Sequence, residues 1–332
     1  MAEFFPPVTN LNELYKAIQP ELDEVEVLLR QIGRSSNPLI AEINSYLFQK
    51  GGKRIRPALL LSCSRLFGAK NGDAVFWSAM VEVIHTASLI HDDIIDNSPL
   101  RRGQDTIHAK WGPNITVLLG DFLYIKAIAM ALKTEHHHII GILADVSAEL
   151  VEGELIEYSW SGRTELTEPT YFEILNKKTA GLFAAACGIG GVLGNASAEE
   201  EAQLRDFGRN LGLAFQIIDD VLDFTGDEAE LGKPVLSDLR EGRITLPLVD
   251  TLGRADEVSR RELIELIKNR RWEKDSVGRV LDIVRANGAF DYALGKAAEF
   301  SRTAKNILDH FPESESRAML NRLADFILQR KK

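Results

Sequence analysis

Two cysteines, Cys63 and Cys187, are all that 332 residues hold, and they stand far apart in small or apolar surroundings. That argues against a disulfide framework or a cysteine-built zinc site and points to a reducing compartment. An excess of positive charge is also missing: 39 Lys and Arg against 49 Asp and Glu leave a net charge of −10. Nucleic acid is therefore not an expected partner, because neutralising phosphates takes Lys and Arg gathered on one face. The most membrane-like stretch, "ITVLLGDFLYIKAIAMAL", is interrupted by Asp121 and Lys126. It falls short of the roughly 20 uninterrupted apolar residues that span a bilayer. The opening "MAEFFPPVTN" has no basic region followed by an apolar run, so a cytoplasmic location is expected. Alternating strand patterns are lacking too.

What is there is helical. Apolar residues recur at i, i+3 and i+4 through "LNELYKAIQPELDEVEVLLRQI", "RPALLLSCSRLFG" and "DAVFWSAMVEVIHTASLIHDDIIDN". The pattern continues through "EPTYFEILNKKTAGLFAAACGIGGVLG" and "EEEAQLRDFGRNLGLAFQIIDDVLDFTG". No repeat of fixed period and no low-complexity linker divides the chain. The expectation is one all-α domain over residues 1–332, a helical bundle around a central cavity.

Two carboxylate clusters stand out. Asp92, Asp93 and Asp96 are spaced D-D-x-x-D at the end of a largely apolar helix, and Asp219, Asp220 and Asp223 repeat that spacing. On a helix, Asp92 and Asp96 share a face, one turn apart, in a stripe with Leu89 and His85. Carboxylates this close repel one another unless cations screen them. A single such run reads as a solvated helix end; two of identical spacing read as opposed walls of one oxygen-rich pocket. Hard oxygen donors without cysteine suit Mg²⁺, which takes a few carboxylates together with phosphate oxygens. A calcium loop fits poorly, since the aspartates lie on helices.

Basic residues accompany them. "GGKRIRP" supplies Lys53, Arg54 and Arg56 at a helix entry, where first-turn amides favour an anion. Arg101 and Arg102 follow the first cluster, Lys177 and Lys178 precede Thr179, Gln216 precedes the second cluster by one turn, and Lys233 follows it. Guanidinium forks and mobile ammonium groups beside metal-binding carboxylates suit a diphosphate. Two other motifs read as structural. "GIGGVLGN" lacks the preceding strand of a nucleotide loop and suits close helix packing. "HHH" at 136–138 reads as a surface feature without acidic company.

"GGKRIRP", "HDDIIDNSPLRRG", "KKTAGLF" and "FQIIDDVLDFTGD", taken in this order, resemble the signature of the trans-prenyltransferases, the head-to-tail isoprenyl diphosphate synthases. The likeness covers essentially the whole chain. It implies the isoprenoid-synthase bundle around a deep cavity, a homodimer, and Mg²⁺-dependent joining of isopentenyl diphosphate to an allylic diphosphate. By this resemblance Asp92 and Asp96, with Asp93 beside them, hold Mg²⁺ on the allylic diphosphate, and Asp219, with Asp220 and Asp223, holds another ion. Lys53, Arg56, His85 and Arg102 match isopentenyl diphosphate contacts; Arg101, Lys178, Thr179, Gln216 and Lys233 match allylic ones. Arg243 departs from the lysine common in the family's "EGK-x-T".

Ala87 and Ser88, five and four residues before Asp92, are small. They lie about 6–7.5 Å below the metal site along the helix axis. A bulky residue there would block a growing tail, so a long-chain product, octaprenyl-like and suited to a quinone side chain, is expected. The competing readings are a farnesyl or geranylgeranyl synthase, and a non-catalytic subunit of a heteromeric synthase. A terpene cyclase would need neither "GGKRIRP" nor a second D-D-x-x-D. No anchor is read, and membrane contact is expected only transiently, for product release.

Overall fold

The computed structural model describes residues 10–49, 51–69, 72–101, 103–226, 234–270 and 272–330. Most of them are helical. The principal helices are α1 (Gln19–Ile32), α2 (Pro38–Leu47), α3 (Ile55–Arg65), α4 (Gly72–Ile95), α5 (Pro113–Ala131) and α6 (His137–Trp160). They are followed by α7 (Glu168–Leu175), α8 (Gly181–Leu193) and α9 (Ala198–Thr225). The remainder comprises α10 (Ser237–Glu241), α11 (Leu246–Arg254), α12 (Glu257–Asn269), α13 (Lys274–Ala286), α14 (Ala289–Leu308) and α15 (Glu315–Gln329). Against the expectation of no strand, β1 (Leu100–Arg101) and β2 (Gln104–Asp105) form a two-residue antiparallel pair, with Arg101 opposite Gln104.

Helix starts follow local chemistry. Asn37 accepts the amides of Leu39 and Ile40 ahead of Pro38, the first residue of α2. Ser197 and Glu200 form a reciprocal capping box at the head of α9, with Ser197 N donating to Glu200 at 2.7 Å. Twenty-eight residues long, α9 runs through the molecule and packs on α8 and α14. Two apolar cores result. One gathers α1, α3, α4, α5, α8 and α15; the other gathers α7, the end of α9, and α11 to α14, and Phe300 packs against both. Trp77, Phe183 and Phe207 are fully buried, each contributing about 1.5–3 kcal/mol of transfer free energy.

The "GIGGVLGN" glycines serve helix packing, as their sequence setting indicates. A Cβ on Gly190 would stand 2.5 Å from the Leu60 carbonyl oxygen, so α8 lies on α3 at backbone contact. Between α7 and α8, where the sequence pattern suggests one unbroken helix, residues Asn176–Ala180 widen into a turn of π-helix. Such turns recur at functional sites. This one presents Lys178 and Thr179, and α6 approaches so closely that a Cβ on Gly153 would meet the Lys178 amide at 2.9 Å.

Candidate active site

Two adjoining cavities, about 190 and 300 Å³, lie between the end of α4, the π-turn and the end of α9. Asp92, Arg101, Lys178, Thr179 and Gln216 border both. The smaller adds Asp96, Asp220 and Arg243; the larger adds Lys53, Arg56, His85, Ser88 and Asp219. Residues from most of the basic motifs thus surround one space together with carboxylates of both clusters. Arg102 and Lys233 lie outside the described residues.

The three aspartates of the first cluster have different surroundings. Asp92 faces the cavity, and burial pushes its carboxyl up to about 7, partly opposed by Lys178 and reinforced by Glu154. Asp96 accepts a hydrogen bond from Arg243 Nη1 at 2.8 Å. Asp93 points the other way: it is buried and accepts from Arg101 Nε at 2.7 Å, against a separate pocket bordered by Tyr46 and Thr86. Burial raises its pKa as well. The β1–β2 hairpin sets Arg101, so Asp93 orients an arginine of the site and does not border either of the two adjoining cavities.

In the second cluster Asp219 stands at the rim, paired with Arg330 at 2.7 Å. Asp220 is buried, and both its oxygens are engaged, by Tyr171 Oη at 2.5 Å and Gln216 Nε2 at 2.9 Å. Burial drives its pKa well up. Asp223, expected beside them as a ligand, does not reach the cavities. It is 1% exposed; its carboxylate accepts the Asp238 amide at 3.1 Å and its carbonyl the Leu236 amide at 2.9 Å. The chain folds back over the end of α9, and Asp223 secures that return, including the left-handed backbone of Leu236 (φ 57°).

Arg54, at the head of α3, also adopts left-handed backbone (φ 50°), which costs energy in a non-glycine residue. Glu82 at 2.5 Å and Glu26 hold its guanidinium, and its neighbours Lys53 and Arg56 border the larger cavity. Arg56 lies 4.7 Å over the Phe183 ring. Lys178 pairs with Glu154 at 2.6 Å and with Glu157. Burial works against its charge, but Glu157, Glu154 and Asp92 outweigh it and hold the ammonium protonated. Thr179 donates to Gln216 at 3.0 Å, joining the π-turn to α9.

Ser88 borders the larger cavity, whereas Ala87, fully buried, does not. Of the two small residues, only Ser88 stands at the wall of the open space. The histidine run does have acidic company: His136 lies 3.5 Å from Asp73 and His138 2.9 Å from Glu201, on helices remote in sequence. Sequence reasoning passed over Glu154, Glu157, Tyr171 and Arg330. Glu154 and Glu157, three apart on one helix face, offered a faint signal; Tyr171 and Arg330 offered none.

Among the described residues, no three His, Cys, Asp or Glu side chains converge as a finished metal cage. The donor set still fits a hard divalent ion: Asp92, Asp96 and Asp219 border the space where phosphate oxygens would complete the shell, as Mg²⁺ requires.

Residues 37–284 match the family model for polyprenyl synthetase. A short chain isoprenyl diphosphate synthase from Methanothermobacter thermautotrophicus is 40% identical over 291 residues, 86% of this chain and 89% of that protein. The octaprenyl diphosphate synthase of Haemophilus influenzae is 36% identical, covering 95% of each. A crystal structure of polyprenyl synthase from Caulobacter crescentus, complexed with calcium and isoprenyl diphosphate, superposes with a TM-score of 0.93 at 36% identity, covering 98% of this chain and 100% of that one. The chain belongs to the polyprenyl synthetase family, the trans-isoprenyl diphosphate synthases, and is a trans-prenyltransferase.

Proposed function

We propose that this prenyl diphosphate synthase extends an allylic diphosphate with isopentenyl diphosphate to a long-chain, all-trans polyprenyl diphosphate, in the octaprenyl range that suits a quinone side chain. The observation that carries the length is Ser88. It is the small residue at the cavity wall one turn below Asp92, and it leaves room for a growing tail. The named relatives make both short and long products, so family membership leaves length open.

In this reading Lys53, Arg56 and His85 bind isopentenyl diphosphate at one end of the joined cavities. Arg101, Lys178, Thr179 and Gln216, which border both cavities, take the allylic diphosphate where the two join. Asp92, Asp96 and Asp219 would hold Mg²⁺, which when bound neutralises the departing diphosphate. Lys178, kept cationic by Glu154 and Glu157, adds a fixed positive charge where negative charge develops. Tyr171 and Gln216 fix Asp220, and Asp93 fixes Arg101, so the polar wall is set before substrate arrives. Alignment of the isopentenyl double bond with the allylic carbon supplies the other large part of the acceleration.

Among the described residues, two helices are long and apolar enough to cross a membrane: α4, whose apolar stretch is 72% buried, and α5, whose apolar stretch is only 33% buried. Leu118 and Ile125 of α5 and Leu132 just after it, seven apart, are 64–67% exposed, and Leu155 and Tyr158 of α6 are 65% and 70% exposed. We read this apolar face as covered by a second copy of the chain.

Incubating the purified chain with an allylic primer, isopentenyl diphosphate and Mg²⁺, then separating dephosphorylated products by chromatography, tests the length. Products stopping at C15 or C20 would favour the short-chain reading. No turnover from folded, Mg²⁺-loaded protein would favour a non-catalytic subunit. Sedimentation of Leu118→Lys/Ile125→Lys, expected to run as a monomer, tests the dimer.

A further inference from the structure

Just beyond the last turn of α15, Arg330 turns inward and is buried, with a side chain 1% exposed. Its guanidinium lies 3.8 Å over the Phe215 ring, and Nη2 donates to the Phe215 carbonyl at 2.5 Å and pairs with Asp219 at 2.7 Å. Nε and Nη1 are buried without a hydrogen-bond partner among the described residues. A buried guanidinium normally has its donors satisfied, and leaving them unmet is costly. One of the carboxylates read as a metal ligand therefore already carries a cation, and that cation is held by an incomplete set of bonds.

We propose that Arg330 is an exchangeable counter-ion of the second aspartate cluster, holding Asp219 in the metal-free protein and leaving when a divalent cation takes that carboxylate. The proposal rests on the reading that Asp219 binds metal. A dication at Asp219 would stand beside a cation already poorly solvated, and the repulsion between them is strong in such surroundings. Asp220 already accepts from Tyr171 and Gln216, and among the described residues it takes no hydrogen bond from Arg330. The movement required is small. α15 stays anchored by Leu320, Leu323 and Ala324 in the core, and only its last turn, Ile327 included, has to loosen. Metal loading at Asp219 and mobility at the end of α15 become one coupled equilibrium.

The test uses Mn²⁺ with inorganic pyrophosphate on the full chain, with free Mn²⁺ followed by electron paramagnetic resonance. Arg330→Gln should bind Mn²⁺ roughly fivefold more tightly than the unaltered chain, a modest coupling between sites, with Arg330→Lys in between. In the unaltered chain, hydrogen exchange at the amides of residues 326–329 should quicken on adding Mn²⁺ and pyrophosphate. Equal or weaker Mn²⁺ binding by a folded Arg330→Gln, or slower exchange on loading, overturns the proposal. If Arg330→Gln does not fold, the exchange measurement on the unaltered chain decides alone. Asp219→Asn separates the two layers. Loss of one Mn²⁺ equivalent with no gain in Arg330→Gln defeats only the exchange, whereas undiminished stoichiometry defeats the metal assignment beneath it.

Discussion

Arg243 reaches Asp96 across 147 positions of sequence, Nη1 to Oδ1 at 2.8 Å, while Nη2 holds Asp238 at 2.9 Å and also engages Glu241. A planar fork can tie the first aspartate cluster to the α10 segment in this way, whereas a lysine would offer one point charge. Arg243→Gln should lower the Tm of the metal-free protein by about 3–10 °C, from the loss of charged hydrogen bonds each worth about 1.5–3 kcal/mol. Arg243→Lys should cost less. Calorimetry of the three proteins checks the order.

Asp92 should make the metal-free protein sensitive to pH. Its carboxyl keeps a proton up to about pH 7 when folded, against 3.8 for the ordinary group. The folded state therefore binds the extra proton between these values, and stability falls as pH rises through that window, levelling above 7. Asp92→Asn should flatten the slope. Because a cation needs the ionised carboxylate, apparent Mg²⁺ affinity should rise toward pH 7, and calorimetry at pH 6 in buffers of different ionisation enthalpy should detect proton release. Identical slopes in the two proteins would count against this.

Ser88 and Ala87 should respond in opposite ways to enlargement. Ser88→Phe puts a ring into the open cavity and should shorten the product at little cost in Tm. Ala87→Phe forces a ring into a filled core, at about 1–3 kcal/mol or more, and should lower Tm before it changes length. Product chromatography and thermal melts on both variants separate the two roles.

Tyr171→Phe removes the hydroxyl that holds Asp220. The buried carboxylate then keeps only Gln216, and a stability loss of about 1–3 kcal/mol is expected for the orphaned acceptor. If Asp220 serves to fix the polar wall, kcat should fall more than the KM for either diphosphate rises. Steady-state kinetics with each substrate varied gives that split.

The helical architecture was legible because spacing along a helix is local information. Asp92 above Ser88, four residues apart, is such a relation, and the structure keeps it. The same arithmetic places Ala87 in line with His91, which contacts the Val117 carbonyl of α5 at 3.2 Å, so Ala87 belongs to a packed face. Asp223 misled for a non-local reason: it shares a helix face with Asp219, yet the chain after α9 folds back and covers it. Tyr171 and Arg330 were invisible because their partners are set only when distant helices meet. The histidine pairs with Asp73 and Glu201 were missed on the same ground.

The π-turn at Asn176–Ala180 has a consequence for what the gene can tolerate. A wider turn inserts a residue into the helical count, so the apolar face of α7 and that of α8 are kept in step with their own neighbours by an offset located at Lys178 and Thr179. Deleting one residue there would restore uniform pitch, rotating the ammonium and hydroxyl out of the cavity and turning the buried face of α7 or α8 about 100° away from its neighbours. Length variation in this short segment would therefore be felt in packing and chemistry together.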